Sequence, residues 1–459
     1  MKNVFRSLIT LVLLLSSIAI AAPTTLLAPS NDPFYSPPEG YESAAVGTIL
    51  KSRVTPQPVR SVYVTVNVKN AWQLLVRSED SFGNATAIVT TIIEPHNADP
   101  SKLLSYQFFE DAANLSCSIS YALQFNAPVL PVIQTEFEMY FLEAALEQGW
   151  YVVAPDYEGP KSAFTAGRQA GHAVLDSIRA TLQSNSISGV NSDAKVALWG
   201  YSGGSLASGW AAALQPAYAP ELSTNLIGAA VGGFVTNITA TAVAVDGGPF
   251  TGLVPLAVNG LMNEYPEVAP IVQAQMSASN YQSFLQGSQL CMIPGALSFI
   301  GKTFFTGANK YFNDGLAFFQ NPTVASIVEQ NTLAVNPDAE VPQIPLFIYQ
   351  GVIDAVVPAV GAERAYKNWC AWGSPSIELA LDSTNGHVTE TFIGAPAALT
   401  WLIDRFEGKA PVQGCTSTTR VSNLEYPGTP ASLVIYFQTA LASIIQLPIG
   451  PLIQFLPTL

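Results

Sequence analysis

Histidine is close to absent from this chain of 459 residues: there are three, His96, His172 and His387. Any chemistry that needs an imidazole has three places to find one. Charge is scarce too. Asp, Glu, Lys and Arg together make 11% of the chain, while 49% is hydrophobic. That composition excludes disorder over most of the length. Basic residues are the shorter side of the balance, 19 against 33 acidic, for a formal net charge of −14. A nucleic acid or an anionic membrane is therefore a poor partner. Cysteine is limited to Cys117, Cys291, Cys370 and Cys415, with no C-x-x-C spacing. Two disulfides fit this pattern better than a metal site, and three pairings are open. No internal repeat is visible, and no H-G-G-G run occurs.

Residues 1–21 read as a secretory signal. Lys2 and Arg6 supply the positive start, residues 8–20 are apolar, and Ala19-Ile20-Ala21 is an A-x-A cleavage site. The apolar run is short for a membrane anchor and Pro23 follows at once, so the mature chain is expected to begin near Ala22. A secreted, extracellular destination suits the cysteines. It also suits three sequons, Asn84-Ala-Thr86, Asn114-Leu-Ser116 and Asn237-Ile-Thr239, as candidate glycosylation sites.

Along the chain, a Pro-rich arm at 31–40 precedes Val62, Val64, Val66 and Val68, which alternate with polar neighbours as in a half-buried strand. Residues 71–77 and 85–93 continue as strands of an antiparallel opening. The pattern then changes to strands at 150–154, 196–199, 226–231, 345–350 and 377–381. Helices are expected after the capping box Thr135-Glu-Phe-Glu138, over 168–182 and over 396–406. Alternation of this kind implies an α/β fold with a mostly parallel sheet covered on both faces. One block breaks it. Residues 234–330 are apolar, carry few charges and are too long for a loop, and they read as an inserted helical cap or lid. After Glu425 no charged residue occurs. Residues 433–459 are apolar but interrupted by Gln438, Gln446, Pro448, Pro451, Gln454 and Pro457, which argues against a membrane span. A cleaved lipid-anchor signal is one alternative; an apolar flap is preferred. The expected organisation is a signal at 1–21, a core at 22–233 and 331–418, the cap at 234–330, and the flap at 419–459.

The chemistry centres on Gly200-Tyr201-Ser202-Gly203-Gly204, a G-x-S-x-G run between a buried strand and an Ala-rich helix. Strand, turn and helix are the context of a nucleophile elbow. A Cβ at Gly200 or Gly204 would strike a neighbouring strand or helix in so tight a turn. A serine hydroxyl needs an adjacent base, and on such a scaffold the partners follow in the order Ser, acid, His. Only His387 lies after Ser202; His96 and His172 read as structural. The acid is expected at Asp354, after an apolar strand and a Gly turn, with Asp382 as the second choice. Asp354 would hold the imidazole in the right tautomer. An oxyanion hole needs two N–H donors. Gly203 is one, and Asp156, at the end of the strand over 150–154, is open to two readings: second donor or plain turn.

The chain resembles the fungal secretory lipases. The resemblance rests on Asp32-Pro-Phe-Tyr35, Lys102-Leu-Leu-Ser-Tyr-Gln107, Ala154-Pro-Asp-Tyr-Glu-Gly159, Val174-Leu-Asp-Ser-Ile-Arg-Ala180, Gly200-Tyr-Ser-Gly-Gly204, Gln350-Gly-Val-Ile-Asp354 and Gly386-His387. These stretches span most of the mature chain in one order. The resemblance implies an α/β-hydrolase core with a helical lid and a C-terminal flap. It implies Ser202, Asp354 and His387 as a triad, and Asp156 with Gly203 as the oxyanion hole. It also implies disulfides Cys117–Cys291 and Cys370–Cys415. The activity expected is hydrolysis of acylglycerol and other carboxylic esters at a lipid–water interface, through an acyl-enzyme, without metal or organic cofactor, by a monomer with no permanent membrane anchor. A carboxylesterase for short or hindered esters, a secreted serine peptidase, and a non-enzymatic lipid carrier are the competing readings.

Overall fold

The computed structural model describes residues 26–61 and 64–444. The expected signal, Val62 and the end of the flap lie outside these residues. Among the described residues one sheet contains β1 (Ile49–Val54), β2 (Asn70–Glu79), β3 (Ala85–Glu94), β4 (Asp99–Gln107), β5 (Trp150–Pro155), β6 (Lys195–Tyr201), β7 (Leu226–Gly232), β8 (Leu346–Gly351), β9 (Ser376–Asp382) and β10 (Gly414–Arg420). The order across it is β1-β2-β3-β5-β4-β6-β7-β8-β9-β10. From β1 to β5 neighbours run antiparallel, and from β5 onward all pairs are parallel.

Side-chain alternation along the central strands builds two apolar layers. Val196 and Leu198 of β6 and Leu346 and Ile348 of β8 face one layer. Helices α2 (Gly167–Gln183) and α3 (Gly203–Tyr218) close that layer. Ala197 and Trp199 of β6, with Phe347 and Tyr349 of β8, face the other. Helices α1 (Ile133–Glu147) and, near the end of the chain, residues 395–406 close it. Each large apolar side chain buried in this way contributes roughly 1.5–3 kcal/mol. Strands covered on both faces must be apolar on both, which is why the parallel strands read as continuous runs.

Between β7 and β8 lie α4 (Ile238–Val245), α5 (Leu253–Glu264), α6 (Val268–Ala274), α7 (Ala278–Leu285), α8 (Met292–Ser298) and α9 (Pro322–Gln330). This helical block is fastened to the sheet at several points. Glu264 is buried and accepts from the Ser81 backbone N–H at 2.7 Å, with the Lys161 ammonium 3.3 Å away. Gly260 lets α5 approach so closely that an added Cβ would lie 2.5 Å from the Phe164 carbonyl oxygen. The Cys117–Cys291 disulfide ties the block to the segment after β4. The second disulfide, Cys370–Cys415, joins α10 (Ala359–Ala371) to the edge strand β10. Helices α11 (His387–Ile393), α12 (Ala395–Phe406) and α13 (Ala431–Ile444) complete the chain.

Three expectations change. The alternating valines do not form a full strand; Arg60–Ser61 and Val64–Thr65 make only a short ribbon. The capping box is not used: α1 begins at Ile133, Thr135 is buried in its first turn, and Glu138 turns inward. Its carboxylate accepts from the Tyr106 hydroxyl and the Phe109 N–H, each at 3.0 Å. Strands β4 and β10 were not anticipated. β10 is polar because it is an exposed edge, and no apolar period marks it. Replacing both Cys117 and Cys291 by Ser is expected to lower the unfolding free energy by about 2–5 kcal/mol, because the bond closes a long loop; denaturant unfolding of the two proteins measures this.

Candidate active site

The turn between β6 and α3 puts Ser202 at φ 51° and ψ −124°, a left-handed conformation that a serine adopts only under constraint. The flanking glycines impose it. A Cβ on Gly200 would lie 2.2 Å from the Gly204 carbonyl oxygen, and one on Gly204 would lie 1.9 Å from that of Gln107. The Ser202 N–H donates to the Gly232 carbonyl at 2.9 Å, pinning the turn to β7.

His387 opens α11, in the loop region that follows β9, and its Nε2 lies 2.9 Å from Ser202 Oγ. Its Nδ1 lies 2.7 Å from Asp354 Oδ2. The Asp354 carboxylate is buried and fully occupied: Oδ1 accepts from the Val356 and Val357 N–H groups at 2.8 and 2.7 Å, and Oδ2 also accepts from Gln350 Nε2 at 3.1 Å. The Tyr201 hydroxyl donates to the His387 carbonyl at 2.7 Å, and so holds the start of α11 against β6. The three side chains picked out by chain order therefore meet. Asp382 does not join them: its oxygens accept from the N–H groups of Thr384, Asn385 and Asn423, and knot the loop after β9. His96 is exposed and reaches Asn67. His172 stacks on Tyr218 and faces the Asp80 carbonyl, and burial pulls its pKa down to about 4.

Asp156 departs from the sequence reading. Its N–H donates to the Val89 carbonyl at 2.9 Å, and its carboxylate accepts from the Ser120 N–H at 2.6 Å. It extends the pairing of β5 with β3 and does not line either cavity at Ser202. The residue that stands there is Asp111, in the loop after β4, itself at φ 49°. Its carboxyl covers Gly203 so closely that a Cβ on that glycine would lie 1.8 Å from Asp111 Oδ1. Gly203 is the first residue of α3, so its N–H has no acceptor within the helix. Both residues border the space in front of Ser202 Oγ. The sequence does not single out Asp111, because nothing in Leu103-Leu-Ser-Tyr-Gln107 marks it as the strand beside β6. Had it been so marked, the loop following it would have pointed to Asp111.

Behind this loop lies a buried group of carboxyls: Glu110, Asp111, Asp156 and Glu158. Burial raises Glu110 and Glu158 well above the usual range, and raises Asp111 and Asp156 to about 7. Among the described residues no lysine or arginine is prominent in the shifts of these four groups. Glu110 and Glu158 share a hydrogen bond, so at neutral pH at least one of them holds a proton. No set of His, Cys, Asp or Glu side chains among the described residues is arranged to hold a metal ion.

Two spaces meet at Ser202. One, of about 260 Å³, is walled mainly by aromatic and aliphatic side chains such as Phe109, Phe137, Phe250, Met292 and Phe392, and reaches His387. The other is a narrow apolar channel of about 40 Å³ bordered by Ser202, Gly203 and Asp111. It continues under α4 and α5 into a second space of similar size, the two sharing Thr165, Ile238, Ala242 and Ala257.

A large, mostly parallel sheet with helices on both faces and a serine elbow at its edge places the chain in the α/β-hydrolase fold. The chain belongs to the secretory lipase family, whose pattern matches residues 123–414. Lipase 4 of Candida albicans is 56% identical over 426 residues, covering 93% of this chain and 92% of that protein. The crystal structure of Candida antarctica lipase A is similar with a TM-score of 0.79 at 30% identity, over 91% of this chain and 96% of that one. The same enzyme in its closed state gives 0.77 at 31% identity, with the same coverage. Among the described residues no helix is long and apolar enough to cross a membrane.

The buried carboxyls have a consequence for stability. Asp156 holds its proton up to about pH 7 when folded and releases it near pH 4 when unfolded. Between those values the folded chain binds more protons, so this residue's contribution falls as pH rises through the window. Asp156→Asn, which cannot ionise, is expected to gain on the parent as pH rises from 4 to 8, so that its melting temperature relative to the parent's stands a few degrees higher at pH 8 than at pH 4; thermal unfolding at the two pH values checks this.

Proposed function

We propose that the chain is a secreted serine lipase that cleaves acylglycerols and other carboxylic esters through an acyl-enzyme. The observation that carries this reading is the continuous relay from Ser202 Oγ through His387 to the buried Asp354 carboxylate. His387 Nε2 takes the serine proton as Oγ attacks the ester carbonyl. Asp354 keeps Nδ1 protonated and offsets the charge of the imidazolium. The developing oxyanion lies against the Gly203 N–H and the Asp111 loop. With its pKa raised to about 7 by burial and only partly lowered by His387, the Asp111 side chain is itself a donor below that pH. The leaving alcohol then receives the proton from His387, and water repeats the sequence on the acyl-enzyme.

The two spaces divide the substrate. His387 borders the wide cavity and not the narrow channel. The group that takes its proton must therefore leave on the wide side, which assigns the alcohol there and the acyl chain to the channel under the cap. Residues 234–330 act as that cap and 419–459 as the flap, with Ile444 of α13 at the cavity wall. Among the described residues no lysine or arginine lines these spaces, as a peptidase subsite for a terminal carboxylate would require. Secretion follows from the signal at 1–21 and agrees with the two disulfides. Of the sequons, Asn84 is exposed, with its amide donating to Asp80 Oδ2 at 3.1 Å. The amide of Asn114 is engaged with the Gln289 carbonyl, and that of Asn237 caps α4.

Ser202→Ala is expected to cut ester hydrolysis by about 10⁴-fold or more with the thermal midpoint unchanged, and a long-chain phosphonate should label the parent but not the variant. Turnover retained by the alanine variant would remove the mechanism. If the Asp111 carboxyl helps as a donor, its ionisation above about pH 7 puts negative charge beside the oxyanion, and kcat should fall there. Asp111→Asn keeps a neutral donor, so its pH–rate profile should lose that decline; an identical decline in both proteins would show that Asp111 acts through its backbone alone.

A further inference from the structure

Among the described residues the wide cavity has six polar side chains in its wall: Asp111, Gln134, Tyr201, Ser202, His387 and Thr391. Ser202 and His387 belong to the relay, and Asp111 to the oxyanion site. The hydroxyls of Tyr201 and Thr391 both donate to the His387 carbonyl. Gln134 is left. It sits in the first turn of α1, is 1% exposed, and neither its Oε1 nor its Nε2 has a hydrogen-bond partner among the described residues.

A buried amide without partners is unfavourable, and native proteins keep one where something else supplies the missing bonds. Around it the wall is apolar, with Phe137 one turn further along the same helix and Phe141 beyond it. A group that answers both amide atoms must accept from the NH₂ and donate to the carbonyl oxygen. Among the groups of an ester substrate, a free hydroxyl does both, whereas an ester carbonyl can only accept.

We propose that Gln134 recognises a free hydroxyl on the alcohol portion of the substrate, so that the cavity favours esters of polyols that keep an unesterified hydroxyl, as mono- and diacylglycerols do. This rests on the assignment of the alcohol to the wide cavity. Gln134 is a specificity residue in this role: it binds the leaving alcohol and takes no part in proton transfer.

The test compares glyceryl monobutyrate with propyl butyrate, which share the acyl group and a three-carbon alcohol and differ in the free hydroxyls. In Gln134→Leu and the nearly isosteric Gln134→Met, kcat/KM for the monobutyrate should fall about tenfold while that for propyl butyrate stays within about threefold. The melting temperature of both variants should equal or exceed the parent's, since an unpaired amide gives way to an apolar group. An unchanged ratio of the two substrates, a parallel loss on both, or a drop of several degrees in melting temperature would each overturn the assignment. Failure of the serine mechanism is separately visible: a parent protein inactive on both esters and unlabelled by a phosphonate would remove that reading, whereas activity on both with an unmoved ratio removes only the role of Gln134.

Discussion

A serine held in left-handed backbone, with two glycines pressed against carbonyl oxygens on either side of it, is the constraint from which the rest of the site follows. The turn can be this tight because Gly204 lets α3 start directly over the end of β4, and Gly200 lets α3 pass close to β6. Strain of this kind is held only by surroundings that over-determine it. Here those are β4 and β7 on the two sides of β6, both parallel to it and both ending at the same level. The sheet order thus does more than bury apolar surface. It lines up the ends of β4, β6, β7 and β8, so that the Asp111 loop, Ser202, Gly233 and Asp354 all emerge along one edge. Gly233, at φ 49°, lies under the imidazole, where a Cβ would come within 2.9 Å of His387 Cε1.

Low overall charge gives the site its electrostatic character. Four hydrogen bonds meet the two oxygens of the buried Asp354 side chain. At Asp111 and its neighbours Glu110, Asp156 and Glu158, burial outweighs the donors and the His387 charge that reach them and keeps them toward the protonated state. The same protein therefore holds two kinds of buried acid within one site wall. One is met by donors on both oxygens and lies against the His387 imidazole, and the others are pushed by burial toward the neutral form. Adding a lysine near the second group would ionise it, which is a physical reason for so acidic a chain to leave it unpaired.

How far the sequence reached depends on which signal each element carries. The Ser–Asp–His constellation was legible because histidine is so rare and because strand, turn and acid recur in a fixed order; the distances at His387 close that relay. The parallel strands were legible from their continuous apolar runs. Asp156 was misplaced because two aspartates, Asp111 and Asp156, each follow a sheet strand and neighbouring strands cross over in sequence: β5 lies between β3 and β4. Only the spatial order reveals that β4, not β5, adjoins the elbow strand. Edge strand β10 escaped notice for the opposite reason, since a strand exposed on its face needs no apolar pattern. The turned-in Glu138 defeated the capping-box rule because the end of β4 offers it two donors that water would otherwise have to satisfy.

The apolar tail is better understood as part of the wall than as an appendage. Phe437 of α13 packs on Phe141 of α1 with ring centres 5.4 Å apart, and Phe141 also meets Phe392 of α11 at 5.2 Å. The Tyr436 hydroxyl donates to the Tyr140 carbonyl at 3.0 Å on the same contact. Helix α11 begins at His387, so one aromatic chain runs from the tail helix to the element that carries the imidazole. Removing α13 would uncover Phe141 where Phe437 packs on it and take away the packing of α13 on α11. A segment that looks dispensable for its lack of charge is thus coupled, through three rings, to the helix that carries His387, and the same helix α1 that carries Phe141 also carries Gln134 and Phe137 on the wall of the wide cavity.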